Sequence, residues 1–420
     1  MRLHIRNGRI VDPAIKRDEG GELFVQDGKI VERLEGKPER TIDASGLVVA
    51  PGFIDLAARL REPGLEYKAT LESEMDAAVA GGVTSLACPP DTDPPLDEPG
   101  LVDMLRRRAK AASRARVYPV GALTEKLAGE ALTEMGLLAE AGCVAFSQAN
   151  APLADTQVLW RALQYAATFG FPVWLRAEDM WLAKGGVAHD GEVATRLGLA
   201  GIPPFAETVA LGTLLELVRA TGARLHVCRL SSAGGVELMR RAKAERLPVS
   251  CDVAIHHVHL CDMDLGYFDP HCRLEPPLRS QRDRDALSRA LAEGVIDCLC
   301  SDHTPVDEDG KHLPFAQAEP GATGLELLLP LALKWGAAHK LPLAAALARI
   351  TSDPARILGV PSGRLAAGAP ADLALFDAGA ARRIAPETLL SQGKNTPFLG
   401  YELPGKVRYT IVAGQVVYEG

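Results

Sequence analysis

At 420 residues, with 47% hydrophobic and 24% charged side chains, the chain can bury a large core and has the composition of a soluble globular protein. A net charge of -8 and a pI near 5.8 argue against a basic nucleic-acid-binding surface. No apolar run approaches the roughly 18 residues of a membrane helix.

Met1 to Asp12 alternates apolar and polar residues without the apolar centre of a secretion signal, so a cytoplasmic protein is expected. Within it, Leu3 to Val11 reads as strand, turn and strand around Asn7-Gly8, and Leu23 to Val25 adds a short strand. Eight apolar runs follow: Phe53–Leu56, Val83–Cys88, Arg116–Val120, Cys143–Phe146, Val173–Leu175, Arg224–Val227, Val249–Val253 and Ile296–Cys300. Helical patterns such as Leu101 to Ala112 and Val236 to Ala244 lie between them. Alternating strand and helix predicts a mainly parallel sheet, and eight repeats predict an α/β fold of the (β/α)8 barrel type. An open doubly wound sheet is the structural alternative, although no G-x-G-x-x-G turn follows a strand.

Leu373 to Phe376 and the strand-turn-strand pattern of Tyr409 to Val417 repeat the texture of the first residues. The economical organisation is one small β-sandwich domain from 1–50 plus 365–420, with a barrel over 51–364. The eight cysteines are scattered without a C-x-x-C pair, which predicts buried free thiols.

Barrel chemistry sits just past the carboxyl ends of the strands. Here these ends carry Asp55 to Gly64, Pro89 to Pro94, Ser147 to Asn150, Arg176 to Asp179, His226 to Ser231, His256 to His259 and Ser301 to Pro305. The segments PGFIDL, REPG, VELMRRAK, HCRLEPPLR, IDCLCSDHTP, PADLALFD and GKNTPFLG, in this order over nearly the whole chain, resemble dihydroorotases of the amidohydrolase superfamily. The similarity is to the bacterial type that partners aspartate transcarbamoylase.

The resemblance implies a barrel of the amidohydrolase type and, in active members, zinc. It also locates departures. The family's D-x-H-x-H-x-R reads Asp55-Leu56-Ala57-Ala58-Arg59-Leu60-Arg61, so Ala57 and Arg59 replace two histidine ligands. Gln148 stands at the bridging aspartate, Arg176 at the histidine of H-x-E-D, and Arg229 at the second histidine of H-x-x-H-x-S. The first histidine of that motif is kept as His226, and of the ligand set only Asp302 remains. Zinc needs carboxylate or neutral imidazole donors, whereas guanidinium has no available lone pair and alanine offers nothing. No cofactor is therefore expected.

Arg61 matches the arginine that holds the substrate carboxylate, while Asp91 and Glu275 replace substrate-side asparagines. If Arg59, Arg176 and Arg229 point inward, pairing them with Asp55, Asp91, Glu275 and Asp302 would fill the former metal cavity with an ion-pair network. Asp302 then becomes a vestigial catalytic acid, with His257 and His303 as further pocket residues. Glu178 and Asp179 read as loop-ordering or helix-capping acids.

The expectation is a non-catalytic dihydroorotase-like protein of pyrimidine biosynthesis acting as a structural partner of aspartate transcarbamoylase. Self-association is compatible with it. Two alternatives stay open: an active dihydroorotase or other cyclic-amide hydrolase with an atypical site, and a small-anion-binding protein using Arg61 and the added arginines.

Overall fold

The computed structural model describes residues Met1–Gly420. The eight apolar runs become strands β1 (Phe53–Asp55), β2 (Val83–Cys88), β3 (Arg116–Ala122), β4 (Ala145–Ser147), β5 (Val173–Leu175), β6 (Leu225–Val227), β7 (Val249–Ala254) and β8 (Cys298–Cys300). They pair in chain order, each parallel to the next. The ring closes just beyond β1 and β8, where Ala58 bridges His303 in parallel. There the Arg59 N–H donates to the His303 carbonyl at 2.9 Å, and the His303 N–H donates to the Ala57 carbonyl at 3.0 Å. Closure excludes the open sheet.

These strands are near-continuous apolar runs because both faces are covered. Inside the barrel Ile54, Leu56, Ala87, Val120, Ala145, Trp174 and Cys298 pack together, and Ala355 and Leu358 close its floor. Outside, helices cover the strands, and their ends follow from local chemistry. Thr70 caps the helix Leu71–Ala80 by accepting from the Ser73 N–H, with Ser73 reciprocating. The predicted helix at Leu101 starts earlier, at Pro99, because proline is preorganised for a first helical position. The one at Val236 starts at Ala233, where Ser232 caps it.

Strands from both termini build a single mixed sheet. Val48–Pro51 runs antiparallel to the start of Leu373–Arg383, in register Leu373 to Pro51 through Phe376 to Val48, and this joins the two ends of the chain. Leu3, Ile5, Ile10, Val25, Val49, Leu373, Leu375 and Ile411 form its buried face. Buried Asp372 ties this sheet to the barrel, accepting from Arg116 Nε at 3.0 Å and Nη2 at 3.1 Å. No helix is long and apolar enough to cross a membrane.

Candidate functional site

At the carboxyl ends of the strands, arginines and acids form one connected network. Arg59, 5% exposed, donates from Nε to Asp91 Oδ2 at 2.7 Å, and from Nη1 to Asp302 Oδ1 at 3.2 Å and Thr304 Oγ1 at 3.0 Å. Arg229, 4% exposed, donates from Nη1 to the same Asp302 Oδ1 at 3.1 Å and from Nη2 to Asn150 Oδ1 at 2.6 Å. Asn150 Nδ2 donates in turn to Glu275 Oε2 at 3.3 Å. Arg176 completes the chain, with Nη2 donating to Glu275 Oε1 at 2.9 Å and Nη1 lying 2.7 Å from Glu178 Oε2.

Asp302 is the hub, shared by two guanidinium groups. The acids Asp91, Glu178, Glu275 and Asp302 are balanced by Arg59, Arg176, Arg229 and nearby buried Arg61. Such balance is what burial demands, since an isolated charge costs several kcal/mol.

The shifts of ionisation agree. Burial alone would raise Asp91, but the Arg59 charge and hydrogen bond, with Arg61 and Arg229 behind, hold it below the usual carboxylate range. Burial would also lower Arg229, but Asp302, with Asp252 and the neighbouring Cys228 and Cys300 behind it, outweighs burial, so this guanidinium is held above its ordinary value. Arg61 goes the other way: burial and repulsion from Arg59 push it down. Its Nε donates to the Pro305 carbonyl at 2.9 Å, and no carboxylate pairs with it directly.

Three of these residues sit on left-handed backbone, with φ of 62° at Arg61, 54° at Arg229 and 47° at Asp302. Such conformations cost on the order of 1–3 kcal/mol each in side-chain-bearing residues. At Arg229 the kink is held by its own N–H, which donates to Asp252 Oδ1 at 2.6 Å. At Asp302 it is held by flanking Ser301, whose N–H donates to Asp55 Oδ1 at 2.8 Å.

The other expected site residues divide. Gln148 is buried, but its amide turns sideways, accepting from Thr124 Oγ1 at 3.0 Å and donating to the Leu127 carbonyl at 2.8 Å. Ala57 contributes only a methyl group to a small cluster with Ala254 and Cys300. His257 is buried with Nε2 3.2 Å from the Pro277 carbonyl, and the Asp302 charge acts on it. Asp179 caps the helix Met180–Ala183 through the Trp181 and Leu182 N–H groups, as its loop-ordering reading anticipates.

Two placements correct the expectation. His303 is not a pocket residue: its ring turns outward between barrel and helix, 2.6 Å from Glu74 Oε2, with both side chains fully buried. Nothing in the local sequence pairs position 303 with position 74. Asp55 likewise meets no arginine, because it accepts from the Ser301 N–H and hydroxyl. Asn150 and Thr304, which the sequence reading missed, are network members. Their only signal was position, at strand ends beside Gln148 and Asp302.

This donor set does not fit the zinc centre that the fold implies. Of the five replaced positions that the resemblance assigns to ligands, three carry guanidinium groups already committed to carboxylates, one carries a methyl group, and the Gln148 oxygen is taken by Thr124. Open space lies to one side of the network. A cavity of about 360 Å³ lies between the 149–156 segment and the helix Met180–Ala183, lined by Asn150, Leu153, Arg176, Glu178, Trp181 and Glu275.

Behind Asp302, burial pushes His256 down to about 3, and His257 and His259 down to about 4. Neither ring nitrogen of His256 has a protein partner, and the ring stacks on Phe398. Unfolded histidine takes a proton near pH 6.5, so these depressed values add stability above that pH that is lost as pH falls toward 4. His256→Phe should therefore gain on the wild type by up to about 1.4 kcal/mol per pH unit below 6.5, read as the difference between urea unfolding curves across pH. A gap independent of pH would contradict a neutral buried imidazole.

The closed parallel barrel with its strand-end site and a sheet built from both termini defines an amidohydrolase-type protein. The Dihydro-orotase-like family model matches residues 46–234, and the Amidohydrolase family model matches residues 195–418. The chain is 47% identical to a dihydroorotase-like protein of Pseudomonas aeruginosa, with 100% of both chains covered. It is 44% identical to one of Pseudomonas putida, covering 100% of this chain and 99% of the other. A dihydroorotase of a Geobacter species is 39% identical, with 100% of both chains covered. Among solved structures, L-hydantoinase from Arthrobacter aurescens superposes with a TM-score of 0.87 at 25% identity, covering 99% of this chain and 96% of that one. The chain belongs to the dihydroorotase-like family of amidohydrolases.

Proposed function

We propose that this chain is a non-catalytic dihydroorotase-like protein, retained as a structural partner of aspartate transcarbamoylase. The carrying observation is that Arg59 and Arg229 both pair with Asp302, the one ligand that the family resemblance leaves in the chain. Hydrolysis of a stable cyclic amide needs a water activated well below its ordinary pKa, and no buried group here is arranged to supply it. A large fold kept without its chemistry fits a role in which shape and surface matter.

Co-expression with the aspartate transcarbamoylase of the same organism should give a complex on size exclusion, with the transcarbamoylase more soluble or more active than when made alone. A transcarbamoylase fully active alone and never co-eluting would contradict the reading.

One observation favours a second reading. Arg61 is buried yet has no carboxylate partner, as a small-anion site would require. Carbamoyl aspartate, dihydroorotate or phosphate should then raise the melting temperature of the wild type and not of Arg61→Met. No shift with any of the three would remove it.

A further inference from the structure

One layer below the arginine network, the barrel interior holds chemistry that the network does not use. His226 and Cys228 are two residues apart and share a face, and Asp252 of β7 lies beside them. An imidazole nitrogen, the thiol sulfur and a carboxylate oxygen from these three residues all lie within 4.8 Å of one another.

Their outer contacts are already built. His226 Nδ1 is 2.8 Å from Ser250 Oγ, which turns Nε2 toward Asp252 Oδ2 at 2.9 Å. The other Asp252 oxygen, Oδ1, accepts from the Arg229 N–H at 2.6 Å and from the Cys300 thiol at 3.4 Å. Metal-bound histidines and carboxylates are normally steadied in this way through their far atoms. By residue exposure Cys228 is the least enclosed of the eight cysteines, the other seven being buried.

We infer that His226 Nε2, Cys228 Sγ and Asp252 Oδ2 form a site for a single thiophilic divalent cation such as zinc. This site lies apart from the replaced positions 57, 59, 148, 176 and 229, and it uses no residue of the arginine network. On loading, the Cys228 S–H bond breaks, its proton leaves to solvent, and the sulfur lone pair forms the metal–sulfur bond. His226 places its proton on Nδ1, toward Ser250, and binds through Nε2. Thiolate and carboxylate then balance the two positive charges, so the loaded site is neutral. Bond lengths of about 2.0–2.3 Å require the donors to stand roughly 3.3–3.6 Å apart. His226 and Asp252, now 2.9 Å apart, therefore open by a few tenths of an ångström, and the widest donor pair, at up to 4.8 Å, closes by about 1 Å.

The inference rests on the non-catalytic reading, because none of the three ligands lines the cavity beside the arginine network, and a metal held here would meet no substrate. The full-length protein should be produced in zinc-supplemented cells, and separately refolded with cobalt(II). One equivalent of metal per chain is expected, with one sulfur neighbour at about 2.3 Å by X-ray absorption. Cys228→Ser should lose the cobalt–thiolate absorption band and at least tenfold in metal content. No retained metal by either route would overturn this inference alone. Metal surrounded only by nitrogen and oxygen, or undiminished in Cys228→Ser, would also overturn it. The same shell with dihydroorotate turnover would overturn the non-catalytic reading as well.

Discussion

Asp302→Ala is expected to lower the unfolding free energy by about 3–5 kcal/mol, because it leaves two guanidinium groups buried without their shared acid. Arg59 would keep Asp91, and Arg229 would keep only the Asn150 oxygen and the Glu275 carbonyl, neither of which carries charge. In an active metallohydrolase the same change would chiefly remove activity. Here it should chiefly remove stability. The compensating variant Asp302→Leu with Arg229→Met should recover most of the loss, since apolar groups of similar volume often replace a buried ion pair at little cost. Urea unfolding of single and double variants reads both effects. An Asp302→Ala protein within about 0.5 kcal/mol of wild type would mean that the network is not closed as described.

The second large effect lies outside the arginine network. Glu74→Ala should cost a similar amount, about 3–5 kcal/mol. Burial would raise the Glu74 carboxyl, but His303, Ser391 and the Gln392 N–H hold it below its usual value. Its Oε2 takes His303 Nε2 at 2.6 Å and the Ser391 hydroxyl at 2.6 Å, while Oε1 takes the Gln392 N–H at 2.9 Å. One carboxylate thus pins the helix Leu71–Ala80, the end of β8 and the segment before Asn395. Glu74→Gln should be milder, because the amide oxygen can still accept one of these bonds. Thermal or urea unfolding that ranks Glu74→Ala no worse than an exposed control such as Glu72→Ala would contradict this role.

The barrel was legible because its strands are buried on both faces and recur with helical spacers, a pattern that needs no tertiary knowledge. Strand ends were less exact: the apolar run at Cys143 pairs only from Ala145, since Gly142 and Cys143 turn out of the preceding helix. In the site, the dihydroorotase resemblance located Arg59, Arg176, Arg229, Asp91, Glu275 and Asp302, and their pairing followed because unlike charges forced into one cavity must pair. The sequence could not say which acid meets which arginine. It put Asp55 in the network, where Ser301 claims it, and His303 in the pocket, where Glu74 claims it. Both errors have one cause: a side chain at a strand end can turn inward or outward, and its partner lies 229 or 246 residues away. Asn150 escaped notice for the complementary reason, that a neutral amide carries no charge to demand a partner.

The proposed loss of hydrolytic chemistry can be measured directly. The most direct measurement is dihydroorotate hydrolysis and its reverse, carbamoyl aspartate cyclisation, by the purified protein supplied with zinc, cobalt or manganese. No turnover above the metal-only background is expected in either direction, with wild type and Asp302→Asn indistinguishable. Metal-dependent turnover that Asp302→Asn abolishes would contradict the non-catalytic reading.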